Sequence, residues 1–133
     1  MRFLTLLLST LLIFTTLQLF AADSDNEESA GLAYYELTPS IVVNVKGRAK
    51  YIRCDVQLMT QDGSNLPAIS LHAPALRHEL LLLLSDQDGP KIRTTKGKEK
   101  LRKQALKALR RVMKELAGDE MIDDLFFTTY LVQ

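Results

Sequence analysis

Residues 35–58 read YELTPSIVVNVKGRAKYIRCDVQL, and two phases of alternation in that stretch decide the fold class. Tyr35, Leu37, Ile41, Val43 and Val45 are apolar against Glu36, Thr38, Ser40, Asn44 and Lys46, the period of two that marks a half-buried strand. Pro39 cannot donate to a ladder, so it predicts an edge position or a bulge. After a turn at Gly47-Arg48 the apolar set moves to even positions, Ile52, Cys54, Val56 and Leu58, opposite Arg53, Asp55 and Gln57. The two runs predict a hairpin with one wet face.

Downstream, the period lengthens. Asp62-Gly63-Ser64-Asn65 closes the second strand, and a helix is expected from Ala68 or Pro74 through Leu84. Leu76, Leu80, Leu83 and Leu84 form one stripe, and Leu81 and Leu82 widen it, so the helix's C-terminal half reads as buried on most sides. Asp86 to Pro90 breaks this helix. Thr94 or Thr95 is the candidate N-cap of a second one, in which Leu101, Ala105, Ala108, Leu109, Val112 and Leu116 recur at helical spacing and Gly118 is the stop. Met121 to Gln133 is rich in aromatic and β-branched residues and apolar on both faces, which predicts an inner or doubly covered strand. The fold class is therefore α+β: a small antiparallel or mixed sheet in the order β-β-α-α-β with two helices on one face. Cys54, Leu101, Leu109 and Phe127 are placed in its core.

Upstream of the hairpin, Phe3 to Ala22 is uncharged, apolar or small except at Gln18, and follows a single Arg2. The order suits a secretory signal, while the length approaches the roughly 20 residues of a bilayer-spanning helix, so residues 1–22 read either as a cleaved signal or as a signal anchor. Either one exports the C-terminal part of the chain. Asp23 to Gly31 is acidic and polar, the composition of a flexible linker, and leaves residues 32–133 as one small domain. Formal net charge is only +1, yet its distribution is uneven. Asp23 to Glu28 carries Asp23, Asp25, Glu27 and Glu28, while Lys91 to Lys114 carries eleven Lys/Arg, with Glu99 as its one acid. On a helix at about 100° per residue, Lys103, Lys107, Arg110 and Lys114 share the side opposite the apolar stripe. This cationic ridge is the candidate partner-binding surface, for an acidic protein or anionic lipid headgroups. Export and the lack of interleaved aromatics argue against nucleic acid.

Catalytic patterns are missing. His72 and His78 lack further ligands at metal spacing, Cys54 is a lone thiol on an apolar face, and Lys96-Gly97-Lys98 lacks the glycines of a phosphate loop. A non-enzyme without cofactor or metal is expected. One class left open is an exported binding module, which docks its cationic ridge on anionic lipid or an acidic protein.

Val43-Asn44-Val45, Tyr51-Ile52-Arg53, Arg77 followed by Leu82-Leu83-Leu84-Ser85, Thr94-x-x-Gly97-Lys98-x-x-Leu101-Arg102, and Phe127-Thr128-x-Tyr130-Leu131-Val132-Gln133 form an ordered set of stretches. Taken together they resemble the flagellar basal-body protein family FliL; an exported binding module unrelated to flagella is the competing class. The resemblance implies a single-pass inner-membrane protein with a periplasmic domain of the stomatin/prohibitin type. It further implies assembly into rings, contact with motor stator units and basal-body proteins, and a role in motility and chemotaxis. Family members usually have a short cytoplasmic segment ahead of the membrane helix, whereas only Met1-Arg2 precede it here. On this reading, charge reversal at Lys107 and Arg110 weakens partner binding without unfolding the domain.

Overall fold

The computed structural model describes residues 31–133. The expected signal or anchor, residues 1–22, and all of the expected linker except Gly31 lie outside the described residues. Strands β1 (Ala33–Asn44), β2 (Tyr51–Thr60) and β3 (Asp124–Val132) form one antiparallel sheet in the order β1-β2-β3. Between β2 and β3 come a 3-10 turn (Gly63–Asn65) and helices α1 (Leu66–Ser85), α2 (Gly89–Ile92) and α3 (Thr95–Ala117). The class is α+β. A one-turn helix, α2, occupies the stretch read as a break, capped by Asp88, whose carboxylate accepts from the Lys91 amide at 3.2 Å.

One sheet face is buried. Leu37 and Ile41 of β1, Ile52, Cys54, Val56 and Leu58 of β2, and Leu125 and Val132 of β3 point into the core. α1 adds Ile69, Leu76, Leu80 and Leu84, and α3 adds Leu101, Ala105, Leu109 and Met113. The first helix packs on β1, the second long helix on β3, and the two pack on each other. Each fully buried Leu or Ile contributes about 1.5–3 kcal/mol, and because Cys54 is free this burial is the main cohesive term. Among the described residues, no helix is long and apolar enough to cross a membrane.

The helices depart from the sequence reading at their ends. α1 begins at Leu66, two residues ahead of the earlier of the two expected starts, because Pro67 stands in the first turn, where a missing N–H costs nothing. Pro74 lies inside the helix. Leu82 is 54% exposed and does not widen the buried stripe, whereas Leu76, Leu80 and Leu84 are fully buried and Leu81 and Leu83 pack half-buried against the core. Thr94 is the N-cap of α3, its Oγ1 accepting from the Gly97 amide at 3.0 Å, and Gly118 ends the helix at φ +83°. Met113 replaces Leu116 as the last core residue of the stripe, and Leu116, in the final turn, is half exposed.

The largest correction concerns β3, which is an edge strand and not an inner one; β2 is central. Register accounts for the misleading pattern. Val56 pairs with Phe127 and Asp55 with Thr129, so Thr128 is one extra residue, a bulge. Inward positions are Leu125 and Phe127 before it and Tyr130 and Val132 after it. A parity change in mid-strand reads as apolarity on both faces. β1 has the complementary irregularity, since Leu37 pairs with Val56 and Ile41 with Cys54. Two extra residues around Pro39 keep parity intact.

Both bulges flank Asp55, and the influence of the Ser40 hydroxyl on β1, then of Thr129 on β3, holds its carboxyl below the usual Asp range. A carboxyl whose folded value is depressed stabilises the fold fully above its unfolded value near 4, and that contribution is lost as pH falls through the folded value.

Candidate interaction surfaces

The open carbonyls of the two edge strands are guarded by arginines. Arg77 of α1 donates to the carbonyls of Leu37, at 3.3 Å, and Pro39 across the β1 bulge. At the far end of β3, Gln133 exchanges both backbone bonds with Tyr51. The neighbouring Val132 is thus a non-hydrogen-bonded position whose carbonyl points away from β2, and Arg93 donates to it at 3.1 Å. Arg102 donates to Leu125 O at 3.2 Å, to Glu99 at 2.8 Å and to Asp124. The Glu99 bond, then the charge of Asp124, keeps this guanidinium more firmly protonated than usual. Satisfying edge carbonyls in this way blocks strand addition at those points.

Arg110 belongs to the same structural set. Its Nε donates to Ile122 O at 2.6 Å and its terminal nitrogen to Asp123 O at 2.8 Å, with Glu120 at 3.9 Å. The Cα of Arg110 is on the ridge side of α3, but the long side chain folds over the loop that leads into β3. It is therefore a brace rather than a free ridge cation. Arg111, in contrast, crosses to Glu79 of α1 at 2.6 Å. The four arginines of α2–α3 and their shared linker are thus all engaged; of the lysines there, Lys98 is half-buried over the Tyr130 ring, 4.9 Å from its centroid, whereas the ridge lysines stay in solvent. Lys103, Lys107 and Lys114 are exposed; Lys103 is 3.9 Å from Glu99, and the other two are in no ion pair among the described residues. The pattern follows from chemistry, because a planar guanidinium can serve two backbone acceptors at once and a strongly hydrated ammonium cannot.

Charge reversal at Lys107 and Arg110 is accordingly not a clean test of the ridge. Arg110→Ala is expected to cost about 1.5–3 kcal/mol, since its charge-assisted bonds to Ile122 O and Asp123 O are lost. Lys103→Gln/Lys107→Gln/Lys114→Gln should stay within about 0.5 kcal/mol, because the substitutions remove a like-charge i,i+4 pair, Lys103 with Lys107. Urea titrations of both variants check this. A larger loss in the triple would make the lysines structural.

Residues considered for chemistry are kept apart. Cys54 is fully buried in the sheet, and burial, with a smaller contribution from Asp55, pushes its thiol up to about 12. His78 is exposed and His72 partly so on α1, and among the described residues no cluster of three or more His, Cys, Asp or Glu could hold a metal. In the native protein Cys54 should not react with a thiol probe at pH 8 and should react in guanidinium; native reactivity would show that the strand opens. Tyr130, whose hydroxyl donates to Ile92 O at 2.6 Å, is also raised to about 12, by burial first. Both groups hold their protons more tightly when folded, so stability should decline as pH rises from about 9 toward 12.

Apolar surface is concentrated on the uncovered sheet face, where Tyr34, Val42, Phe126 and Leu131 are 37–56% exposed, and on the outer side of α1 at Leu71 and Leu82. Sequence periodicity did not reveal the sheet patch, because the β3 bulge hides which side Phe126 and Leu131 occupy.

Two comparisons bear on this arrangement. A family model described as flagellar basal body-associated protein FliL matches residues 34–133. The flagellar protein FliL of Aquifex aeolicus (strain VF5) is 25% identical over 101 residues, covering 74% of this chain and 60% of the relative. The chain thus spans less than two thirds of that curated relative's length.

Proposed function

The chain belongs to the FliL family of flagellar basal body-associated proteins, and on that premise we propose that it is a non-enzymatic factor that supports motility and chemotaxis by associating with the motor's stator. Its domain works on the periplasmic side of the inner membrane, tethered by residues 1–22 where that segment is retained and soluble where it is cleaved. Copies associate through a stomatin/prohibitin-like domain into a ring, and exposed faces, the lysine side of α3 among them, contact stator and basal-body proteins.

The match across residues 34–133 carries this reading. It spans every described strand and helix apart from Ala33, the first residue of β1, and the family-like residues have identifiable work within it. Thr94 caps α3, Gly97 lets α3 approach the Lys91 carbonyl, Arg77 and Arg102 satisfy edge carbonyls, and Tyr130 ties β3 to α2. The resemblance is thus one of architecture, which suits an assembly component better than a catalyst. Deleting the gene should reduce swimming or swarming most at high load, with fewer stator units retained at the motor. Wild-type motility at every viscosity together with normal stator occupancy would refute the proposal.

A further inference from the structure

The fold separates charge along the sheet axis. Ala33 pairs with Thr60 and Met59 with Asp124, so these residues share one end of the sheet, while Asn44, Tyr51 and Val132 share the other. A ten-residue strand makes the two ends about 30 Å apart. At the end where Gly31 leads into β1 are Asp62, Glu115, Asp119, Glu120 and Asp123 with Lys114; the four acids of Asp23 to Glu28 precede it in the chain. At the opposite pole the β1–β2 loop, α2 and the first turns of α3 bring together exposed Lys46, Arg48, Lys50, Lys91, Arg93, Lys96 and Lys100.

The acids of this distal pole have other partners. Asp86 pairs with Lys46, Asp88 caps α2, and Glu99 holds Arg102, with Lys103 at 3.9 Å. Among the described residues, Arg48, Lys50, Lys91, Lys96 and Lys100 therefore face no carboxylate at ion-pairing distance. Lys96 and Lys100 are, in addition, a like-charge i,i+4 pair, an arrangement that stability disfavours. The scaffold beneath them is tight. Lys46 N donates to Gln87 O at 2.9 Å, Gly89 N donates to Lys46 O at 2.8 Å, and a Cβ on Gly89 would lie 2.2 Å from that of Ala49. A cleft of about 120 Å³ between α2 and α3 is lined by Lys91, Lys100 and Gln104 and also by Asp88, whose carboxylate is occupied in capping α2.

We propose that this distal pole, centred on Arg48, Lys91, Lys96 and Lys100, docks an acidic segment of a partner protein. The proposal rests on the functional reading above only in setting the Gly31 end toward the membrane. With that end acidic, anionic headgroups are repelled from the near side and the cations lie about 30 Å beyond it. Head-to-tail pairing with the acidic end of a second copy is opposed by tethering both copies at the same end.

The full chain in nonionic detergent is titrated into a fluorescein-labelled glutamate-rich peptide. Binding should weaken about tenfold in Arg48→Gln/Lys91→Gln/Lys96→Gln and change less than about twofold in Lys103→Gln/Lys107→Gln/Lys114→Gln. Salt should weaken wild-type binding more than that of the distal triple. Equal losses in the two triples, or no binding by the wild type, would overturn the proposal. So would distal-triple-sensitive binding to phosphatidylglycerol vesicles without peptide binding, which assigns the pole to lipid, or salt-sensitive oligomers lost in the distal triple, which assign it to a second copy. None of these readouts depends on motility, so this proposal and the flagellar one fail separately.

Discussion

Replacing Gly97 with alanine is expected to lower stability by about 3 kcal/mol, although Gly97 is within a helix, where the same exchange normally gains about 1 kcal/mol. The sign is decided by what a Cβ would meet. It would lie 1.9 Å from the Lys91 carbonyl oxygen, 2.8 Å from the Lys91 carbonyl carbon and 2.9 Å from Thr94 Oγ1. Two of the three are backbone, and the oxygen is already held: it accepts from Thr94 Oγ1 at 2.9 Å and Thr94 N at 3.3 Å. Relief would require moving α2, to which Tyr130 and Arg93 bind the end of β3. For a domain of this size the loss corresponds to a fall in melting temperature of roughly 12–24 °C. Gly118→Ala is the control. Its φ of +83° penalises a side chain, but no atom lies within 4 Å, so it should cost only about 1–2 kcal/mol. Thermal melts that rank Gly118→Ala as the worse variant would show that the Gly97 contact is not formed.

What could be read from the sequence depended on parity. On β1 two extra residues around Pro39 return the chain to the same face, so Tyr35, Leu37, Ile41 and Val43 still alternate and the strand is legible straight through its bulge. On β3 the single extra residue Thr128 exchanges the faces, and no window across it shows a period of two. A bulged edge strand then resembles a strand covered on both sides. The helices were legible where caps are chemical, at Thr94 and Gly118, and less so at Leu66, where the start depends on Pro67 and the N-cap residue Asn65 makes no side-chain capping bond.

The candidate surface was legible as a charge run and illegible as a division of labour. Helical projection groups Arg110 with Lys103, Lys107 and Lys114 because it places Cα atoms, whereas a guanidinium is several bonds from its Cα. Which cations turn back to Ile122 O, Leu125 O or Val132 O depends on β3 lying beside α3, a contact between segments distant in sequence. The choice of Arg over Lys at positions 102 and 110 was a usable signal, since Arg is favoured where two acceptors must be served together. The distal pole was beyond reach for the same reason: Arg48 and Lys91 are neighbours only because the Lys46–Asp88 bridge joins the hairpin to α2.

The edge position of β3 also lowers the expected cost of truncating Phe127. Phe127 read as inner-strand core, where truncation to Ala costs about 3–5 kcal/mol. It is instead half-buried and rests against Tyr130, with centroids 5.2 Å apart and planes tilted by 55°. With part of the ring already in water, Phe127→Ala should cost about 1.5–2.5 kcal/mol. Leu109 is smaller but has no exposed surface, and it lies in the shared core on α3, the helix that packs on both α1 and β3. Leu109→Ala leaves a cavity that two long helices and a sheet cannot close together, so about 3–4 kcal/mol is expected. Against a typical total of about 5–15 kcal/mol, that is enough to leave a substantial unfolded fraction when the starting stability is low. Urea titrations at constant slope should place the Leu109→Ala midpoint below that of Phe127→Ala. The opposite order would mean that the open edge of β3, beside which the inward Phe127 ring is half-exposed, is covered in solution by a surface outside the domain.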